Sequence, residues 1–165
     1  MRHFLTLTAI SISAAILGAP AMAQQWNEIP PPTGKEAVAR AHPATFRTDI
    51  FDVRVPPNGG EVEYMINMKL GEAVVYSWEV QSIANPNQFH TEFHGHTEPV
   101  NGRGDLMFYE KGEGAKANGS LVAPWVGTHG WYWQNNSAGP VVVRLRLAGF
   151  YELIPNQRGA QAVKE

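Results

Sequence analysis

The chain contains no cysteine among its 165 residues. Disulfide bonds, thiolate metal sites and cysteine nucleophiles are therefore excluded. Small domains outside the cytoplasm commonly rely on disulfides, so a hydrophobic core has to stabilise this protein without them. A chain of this length can bury most of the surface that its unfolded state exposes. We therefore expect one domain that is held together by its core.

An excess of positive charge is also lacking, because 13 lysines and arginines stand against 15 aspartates and glutamates. The formal net charge of -2 provides no basic field that would attract phosphate backbones, and it argues against a nucleic-acid partner. The sequence contains no Gly-x-Ser-x-Gly nucleophile elbow, no P-loop and no dinucleotide fingerprint. These common routes to hydrolase and nucleotide chemistry are therefore not expected.

The apolar run near the start of the chain, residues 4–17, is too short for a membrane-spanning helix, which needs roughly 20 apolar residues. It follows a basic start and precedes Ala21-Met22-Ala23, a small-residue cleavage site. This order is typical of a secretory signal peptide. We expect residues 1–23 to be removed and the mature protein to lie in a bacterial periplasm, without spanning the membrane.

Residues 24–44 are rich in proline and poor in large apolar side chains, which predicts an extended lead-in. From residue 45 to residue 155 apolar residues recur with a period of two, the spacing of half-buried strands. Sixteen glycines and twelve prolines punctuate the chain. We predict an all-β fold, an antiparallel β-sandwich or jelly roll. Residues 156–165 are predicted to be a polar, frayed tail.

Two strand predictions carry most of the expected core. The run "VVYSWEV" alternates apolar and other residues, which predicts a strand. The segments "THGWYW" and "VVVRLRLAGFYEL", residues 128–133 and 141–153, are predicted to pair as the two strands of a hairpin. Residues 111–119, "KGEGAKANG", are predicted to form a turn. The side chains expected to be buried are Tyr76, Trp78, Val143, Leu145 and Leu147.

The strand of residues 71–78, "GEAVVYSW", and the element "HGWYWQN" at residues 129–135 carry a family resemblance. The sequence between residues 70 and 153 resembles a group of bacterial exported proteins usually named transmembrane anchor proteins. Members of that group keep an N-terminal membrane helix, whereas we expect a cleavable signal in this chain, so the anchor does not carry over. The closing strands are also similar to Golgi-dynamics-type β-sandwich domains, and that likeness implies a non-catalytic interaction module.

The segment "QFHTEFHGHTE" at residues 88–98 concentrates potential metal ligands. Side chains two apart on a strand share a face, so His90, Glu92, His94 and His96 are expected to project together. Imidazoles with a carboxylate are a suitable ligand set for copper, zinc or nickel ions. The alternative is that these histidines make ordinary hydrogen bonds on a solvated strand.

His129 has the phase of Trp131 and Trp133, which places it on a face rich in aromatic rings. Two arrangements remain open for it. Either the tryptophans fill the core while His129 donates to a backbone carbonyl, or His129 meets His94 and His96 as the third histidine of a metal site.

The histidines also resemble the cupin pattern, in which a His-x-His pair and a carboxylate precede a later histidine near proline, glycine and asparagine. Glu98 follows the pair more closely than in cupins, and the later proline and glycine are displaced. The corresponding residues in this chain are His94, His96, Pro124, Gly127, His129 and Asn135.

These observations favour a periplasmic, non-enzymatic β-sandwich that binds a transition metal, copper first and zinc or nickel next. Its metal ligands are predicted to be His94, His96 and His129, completed by His90 or Glu92. The second possibility is an accessory module that recognises another envelope protein without metal. The third is a cupin-like metalloenzyme.

Overall fold

The structure is a computed structural model that describes residues 45–100 and 104–163. The predicted signal peptide and lead-in, residues 1–23 and 24–44, lie outside these residues. The described chain contains one 3-10 turn, Pro86–Gln88, and the following strands. They are β1 (Arg47–Val55), β2 (Gly60–Met68), β3 (Ala73–Gln81), β4 (Phe89–Thr97), β5 (Leu106–Glu113), β6 (Lys116–Val122), β7 (Gly127–Asn135), β8 (Val141–Gly149), β9 (Glu152–Leu153) and β10 (Ala160–Ala162).

The strands form two antiparallel sheets of five strands each, which confirms the predicted β-sandwich. One sheet has the order β10-β1-β8-β3-β6 and the other has the order β5-β4-β7-β2-β9. Both central strands, β7 and β8, carry large apolar side chains at alternate positions, as expected of strands with one face in the core. In the described part of the chain, no helix has the length and apolar content required to cross a membrane.

Aromatic side chains from both sheets fill the space between them. Trp131 stacks on Phe93 within its own sheet at a centroid distance of 5.0 Å, and it meets Tyr76 of the opposite sheet edge-on at 5.0 Å. Trp133 of β7 packs against Trp78 of β3 at 5.9 Å. Such offset and edge-on contacts are the favourable geometries for aromatic rings. The predicted core residues Tyr76, Trp78, Val143, Leu145 and Leu147 are all buried.

The predicted hairpin between β7 and β8 is wrong, because the two strands belong to different sheets. The connection of residues 136–140 carries the chain across the sandwich instead. Asn135 organises this crossing, since its buried amide donates to the carbonyl of Gly139 at 2.8 Å and accepts from the backbone of Ser137 at 3.0 Å. Apolar residues alternate in both β7 and β8, but the two strands do not pair with each other.

The segments predicted to be a turn and a frayed tail, residues 111–119 and 156–165, each contain part of a strand or a whole one. Strand β6 begins at Lys116, inside the predicted turn, after Gly114 takes a φ of 148° at the crossing from β5 to the other sheet. In the predicted tail, β10 pairs with β1, with Ala162 opposite Phe51. Sheet hydrogen bonds therefore hold these polar residues in place despite their composition.

Candidate metal centre

Strand β4 carries the histidine segment with two distinct faces. Phe89 and Phe93 lie in the core with exposures of 0% and 6%. The intervening side chains project from the outer face of the sheet, and they are His90, Glu92, His94 and His96.

A β-bulge in β5 shapes the surroundings of His94. Phe93 pairs with Glu110 and His94 pairs with Phe108, so Tyr109 is the extra residue. Tyr109 turns inward and packs against Phe93 at a centroid distance of 5.0 Å. Phe108 remains beside His94, with ring centroids 5.7 Å apart. The bulge therefore gives His94 an apolar neighbour on its edge-strand side.

Three potential ligands converge on this outer face: Glu63, His94 and His96. One ligand atom from each lies within 4.8 Å of the other two. The carboxylate oxygen of Glu63 lies 3.0 Å from Nε2 of His94 and 4.0 Å from Nε2 of His96. The two imidazole rings are 4.9 Å apart at an angle of 70°.

Glu63 belongs to β2, which is separated from β4 by the central strand β7. The row of paired residues that crosses the sheet at this point consists of His94, Gly130 and Met65. Gly130 carries no side chain between the two flanking strands, and a Cβ atom there would collide with the Tyr64 carbonyl and lie 2.8 Å from Sδ of Met65. The carboxylate of Glu63 and the ring of His94 therefore meet above β7.

His94 is almost completely enclosed, with its side chain 4% exposed, whereas those of His96 and Glu63 are 43% and 51% exposed. The hydrogen bond from His94 is the main cause that lowers the pKa of Glu63, and the charges of His94 and His96 add to it against the effect of burial. An ionised carboxylate only accepts, so Nε2 of His94 carries the proton of this bond. Nδ1 of His94 has no hydrogen-bond partner among the described residues. His94 is thus not a fully satisfied structural histidine.

The spacing is close to what a metal ion requires. A tetrahedral ion with ligand distances of about 2.0–2.2 Å keeps its ligand atoms roughly 3.3–3.6 Å apart. The Glu63 contacts of 3.0 and 4.0 Å bracket that separation. Small side-chain rotations would therefore bring all three residues into a coordination sphere, leaving a fourth position open.

His90 and Glu92 form a separate pair further along β4. Nε2 of His90 lies 3.4 Å from the Glu92 carboxylate, and Nζ of Lys111 lies 3.2 Å from the same oxygen. Burial opposes ionisation of Glu92, but the hydrogen bonds from Lys111 and His90 outweigh it and lower the pKa of Glu92. The positive charge of Lys111 already neutralises the Glu92 carboxylate. The structure does not bring His90 or Glu92 to the cluster of Glu63, His94 and His96.

The structure also does not bring His129 to His94 and His96. His129 is fully buried on the inner face of β7, where a Cβ atom on Gly95 would lie only 2.5 Å from its Nδ1. Its Nε2 lies 3.3 Å from the carbonyl oxygen of Trp125 and its Nδ1 lies 2.8 Å from the hydroxyl of Tyr109. The sheet itself separates this ring from the cluster.

The hydrogen bonds of His129 assign its tautomer. A carbonyl oxygen only accepts, so Nε2–H donates to Trp125 and Nδ1 accepts from the hydroxyl of Tyr109. Burial lowers the pKa of His129 and keeps the ring neutral, and burial raises the pKa of Tyr109 to about 12. Both ring nitrogens are used within the protein, which is the first of the two arrangements considered for this residue. His129 is therefore a core histidine.

Glu63 was not among the predicted ligands, because it lies 31 residues before His94. The sequence did indicate that Glu63 faces outward, because Glu61 and Glu63 alternate along β2 with the buried Val62 and Tyr64. The sequence did not indicate that β2 pairs with β7, which is what brings Glu63 close to His94 on β4. A similar phase argument separates His129, which alternates in step with the tryptophans, from His94 and His96, which alternate against Phe89 and Phe93.

Comparison of the chain with models of known protein families gives no match, and comparison with curated protein sequences gives none either. The site must therefore be interpreted from its own chemistry. Two imidazoles and one carboxylate form a mixed nitrogen and oxygen ligand set, which is suitable for Zn(II), Cu(II) or Ni(II).

Proposed function

We propose that this protein binds a transition metal ion in the bacterial periplasm, through Glu63, His94 and His96. The observation that carries the proposal is the convergence of three ligand atoms within 4.8 Å from two non-adjacent strands. Copper is the first candidate and zinc or nickel the next, since imidazole and carboxylate ligands accept all three. The role is binding rather than catalysis.

The position of the cluster supports exchange of the ion with solvent. The side chains of Glu63 and His96 are about half exposed, whereas that of His94 is buried. A cavity of about 370 Å³ adjoins the site and is lined by Glu63, His96 and neighbouring residues. An ion can enter there without a change in the fold, as is required of a protein that takes up and releases metal.

The periplasmic location rests on the signal-peptide pattern of residues 1–23 and on the resemblance of "HGWYWQN" to exported bacterial proteins. The chain has no cysteine, so in such a compartment its core has to stabilise it without disulfides. A cupin-like metalloenzyme is less well supported, since its metal would require His129, which lies on the inner face.

Metal titration of the protein purified from a periplasm tests the proposal. The wild type should bind Cu(II) and Zn(II) more tightly than about 0.1 mM. Glu63→Gln retains the shape of the side chain but removes its charge, and His96→Ala removes an exposed ligand. Each should weaken binding by about 10-fold or more, because even changes outside the ligand set cost roughly 10 to 100-fold.

His90→Ala is the matched control, because His90 lies on the same strand and face but outside the cluster. Its affinity should equal that of the wild type. Binding should also weaken as the pH falls, since protons compete with the metal ion for the imidazole ligands. Wild-type binding no tighter than about 0.1 mM, or equal losses in His90→Ala and His96→Ala, would contradict the proposed site.

A second candidate function is an accessory module that recognises another envelope protein. The observation that favours it is the edge strand β5, on which Leu106, Met107 and Phe108 are 49%, 46% and 41% exposed. An apolar edge strand can pair with a strand of a partner. Leu106→Lys should then abolish a periplasmic complex seen by size-exclusion chromatography, and a complex unchanged by this variant would contradict the module.

A further inference from the structure

A methionine, Met65, lines the cavity beside the proposed metal site together with Glu63 and His96. Cysteine is absent and the whole sequence has five methionines. Of the described methionines, Met68 points into the core and Met107 lies on the edge strand β5. Met65 alternates with these core positions of β2 and lies on the outer face, in the row of residues that contains Gly130 and His94.

The thioether of Met65 lies over Gly130. A Cβ atom at position 130 would be only 2.8 Å from Sδ of Met65, so the sulfur packs against the glycine of the central strand. His94 reaches Glu63 from β4 on the same outer face of the sheet. Met65 is 7% exposed although it is on the solvent side of its sheet, which means that neighbouring side chains enclose it.

The backbone of Met65 is held in place by Gln157. The side-chain oxygen of Gln157 accepts from the Met65 amide at 2.6 Å, and its nitrogen donates to the Met65 carbonyl at 2.8 Å. These two bonds replace a neighbouring strand at this position, since β9 pairs only with Ile66 and Asn67. The origin of the thioether side chain is therefore fixed next to the cluster.

We infer that Met65 is a fourth ligand, and that it makes cuprous copper, Cu(I), a cargo of this site. The inference rests on the metal-binding function proposed above. Thioether sulfur is a soft ligand that favours Cu(I), whereas the usual ligands of Zn(II) are thiolate, imidazole and carboxylate groups. Phe108 beside His94 adds an apolar surrounding, which favours the single charge of Cu(I) over that of a divalent ion.

The test compares Cu(I) and Zn(II) affinities of the full protein purified from a periplasm. Cu(I) is titrated without oxygen against a coloured Cu(I) chelator, and Zn(II) is titrated separately. Met65→Leu conserves the side-chain volume, so the fold should be retained. It should weaken Cu(I) binding by about 10-fold or more and change Zn(II) binding by less than about 3-fold.

Met107→Leu is the matched control, an exposed methionine on β5, and it should leave both affinities unchanged. X-ray absorption of the Cu(I)-loaded wild type should show a sulfur neighbour, which can only come from methionine in a chain without cysteine. That sulfur signal should disappear in Met65→Leu.

Two contrary results have different meanings. If the wild type binds Zn(II) but Met65→Leu retains the Cu(I) affinity and the sulfur signal of the wild type, the inference about Met65 is overturned and the proposed function stands. If the wild type binds neither ion more tightly than about 0.1 mM, both the proposed function and the role of Met65 are wrong.

Discussion

Replacement of Gln157 by alanine should destabilise the protein, although Gln157 belongs to a segment with the composition of a frayed tail. Its side chain makes two hydrogen bonds to the backbone of Met65, at 2.6 and 2.8 Å. Alanine removes both partners at once, so the amide and carbonyl of Met65 lose these two hydrogen bonds at a position that β9 does not reach.

The magnitude follows from the number and environment of these bonds. A net hydrogen bond contributes about 0.5–1.5 kcal/mol, and a buried group that is left unpaired costs about 1–3 kcal/mol. Gln157 is only partly buried, so water can replace it in part. We expect a loss of about 2 kcal/mol in the free energy of unfolding, which corresponds to a decrease of roughly 6–8 °C in Tm for a domain of this size.

Thermal and urea unfolding followed by circular dichroism measure the effect. Gln157→Glu separates the two bonds, because its carboxylate still accepts from the Met65 amide but places a second oxygen against the Met65 carbonyl. It should be less stable than Gln157→Ala at pH 7. Gln161→Ala is the control, since Gln161 is an exposed residue of the short strand β10, and its Tm should be that of the wild type.

A Tm of Gln157→Ala within about 1 °C of the wild type would refute this reasoning. It would show that the glutamine side chain exchanges freely with water. The segment between β9 and β10 would then be held by strand pairing alone, and the fixed position of Met65 would have to arise from side-chain packing.

Three further predictions concern other parts of the chain. Mass spectrometry of the exported protein should show cleavage after Ala23, and an unprocessed N-terminus would contradict the periplasmic location. Tyr109→Phe leaves the buried Nδ1 of His129 without its donor and should cost about 1–2 kcal/mol in urea unfolding; an unchanged midpoint would contradict the assigned tautomer. The hydrogen bond from Arg47 lowers the pKa of Asp49, so this carboxylate contributes stability above its unfolded pKa of about 3.9 that is lost as the pH falls further. Asp49→Asn should therefore reduce the loss of stability between pH 5 and pH 3, measured by urea unfolding, and an unaltered pH dependence would show that Asp49 is not its source.

Much of the fold was predictable because strand alternation is a local property. The residues expected to be buried on β3 and β8 are buried, and His94 and His96 face away from Phe89 and Phe93 as their spacing implies. The face of the sheet on which a side chain lies can be predicted from its own strand, without knowing the neighbouring strands. It follows directly from which positions of the strand are apolar.

The errors arose where strand pairing had to be known. Alternation on both sides of residues 136–140 indicated a hairpin, but β7 and β8 lie in opposite sheets. Such a turn is compatible with either outcome, because the period-two pattern is the same whether two strands pair or face each other. The short strand β10 is stabilised by β1 rather than by its own apolar residues, so its composition contained no signal.

The sequence by itself determined a β-sandwich core without disulfides and the clustering of histidines on one face of one strand. Only the tertiary structure decided which residues complete that cluster. It brought Glu63 of β2 to His94 of β4 across β7, directed His129 into the core, and placed Met65 in the lining of the cavity that Glu63 and His96 share. The physical reason is that a ligand set depends on distances across a sheet, and those distances follow from strand order and register, which alternation along a single strand leaves open.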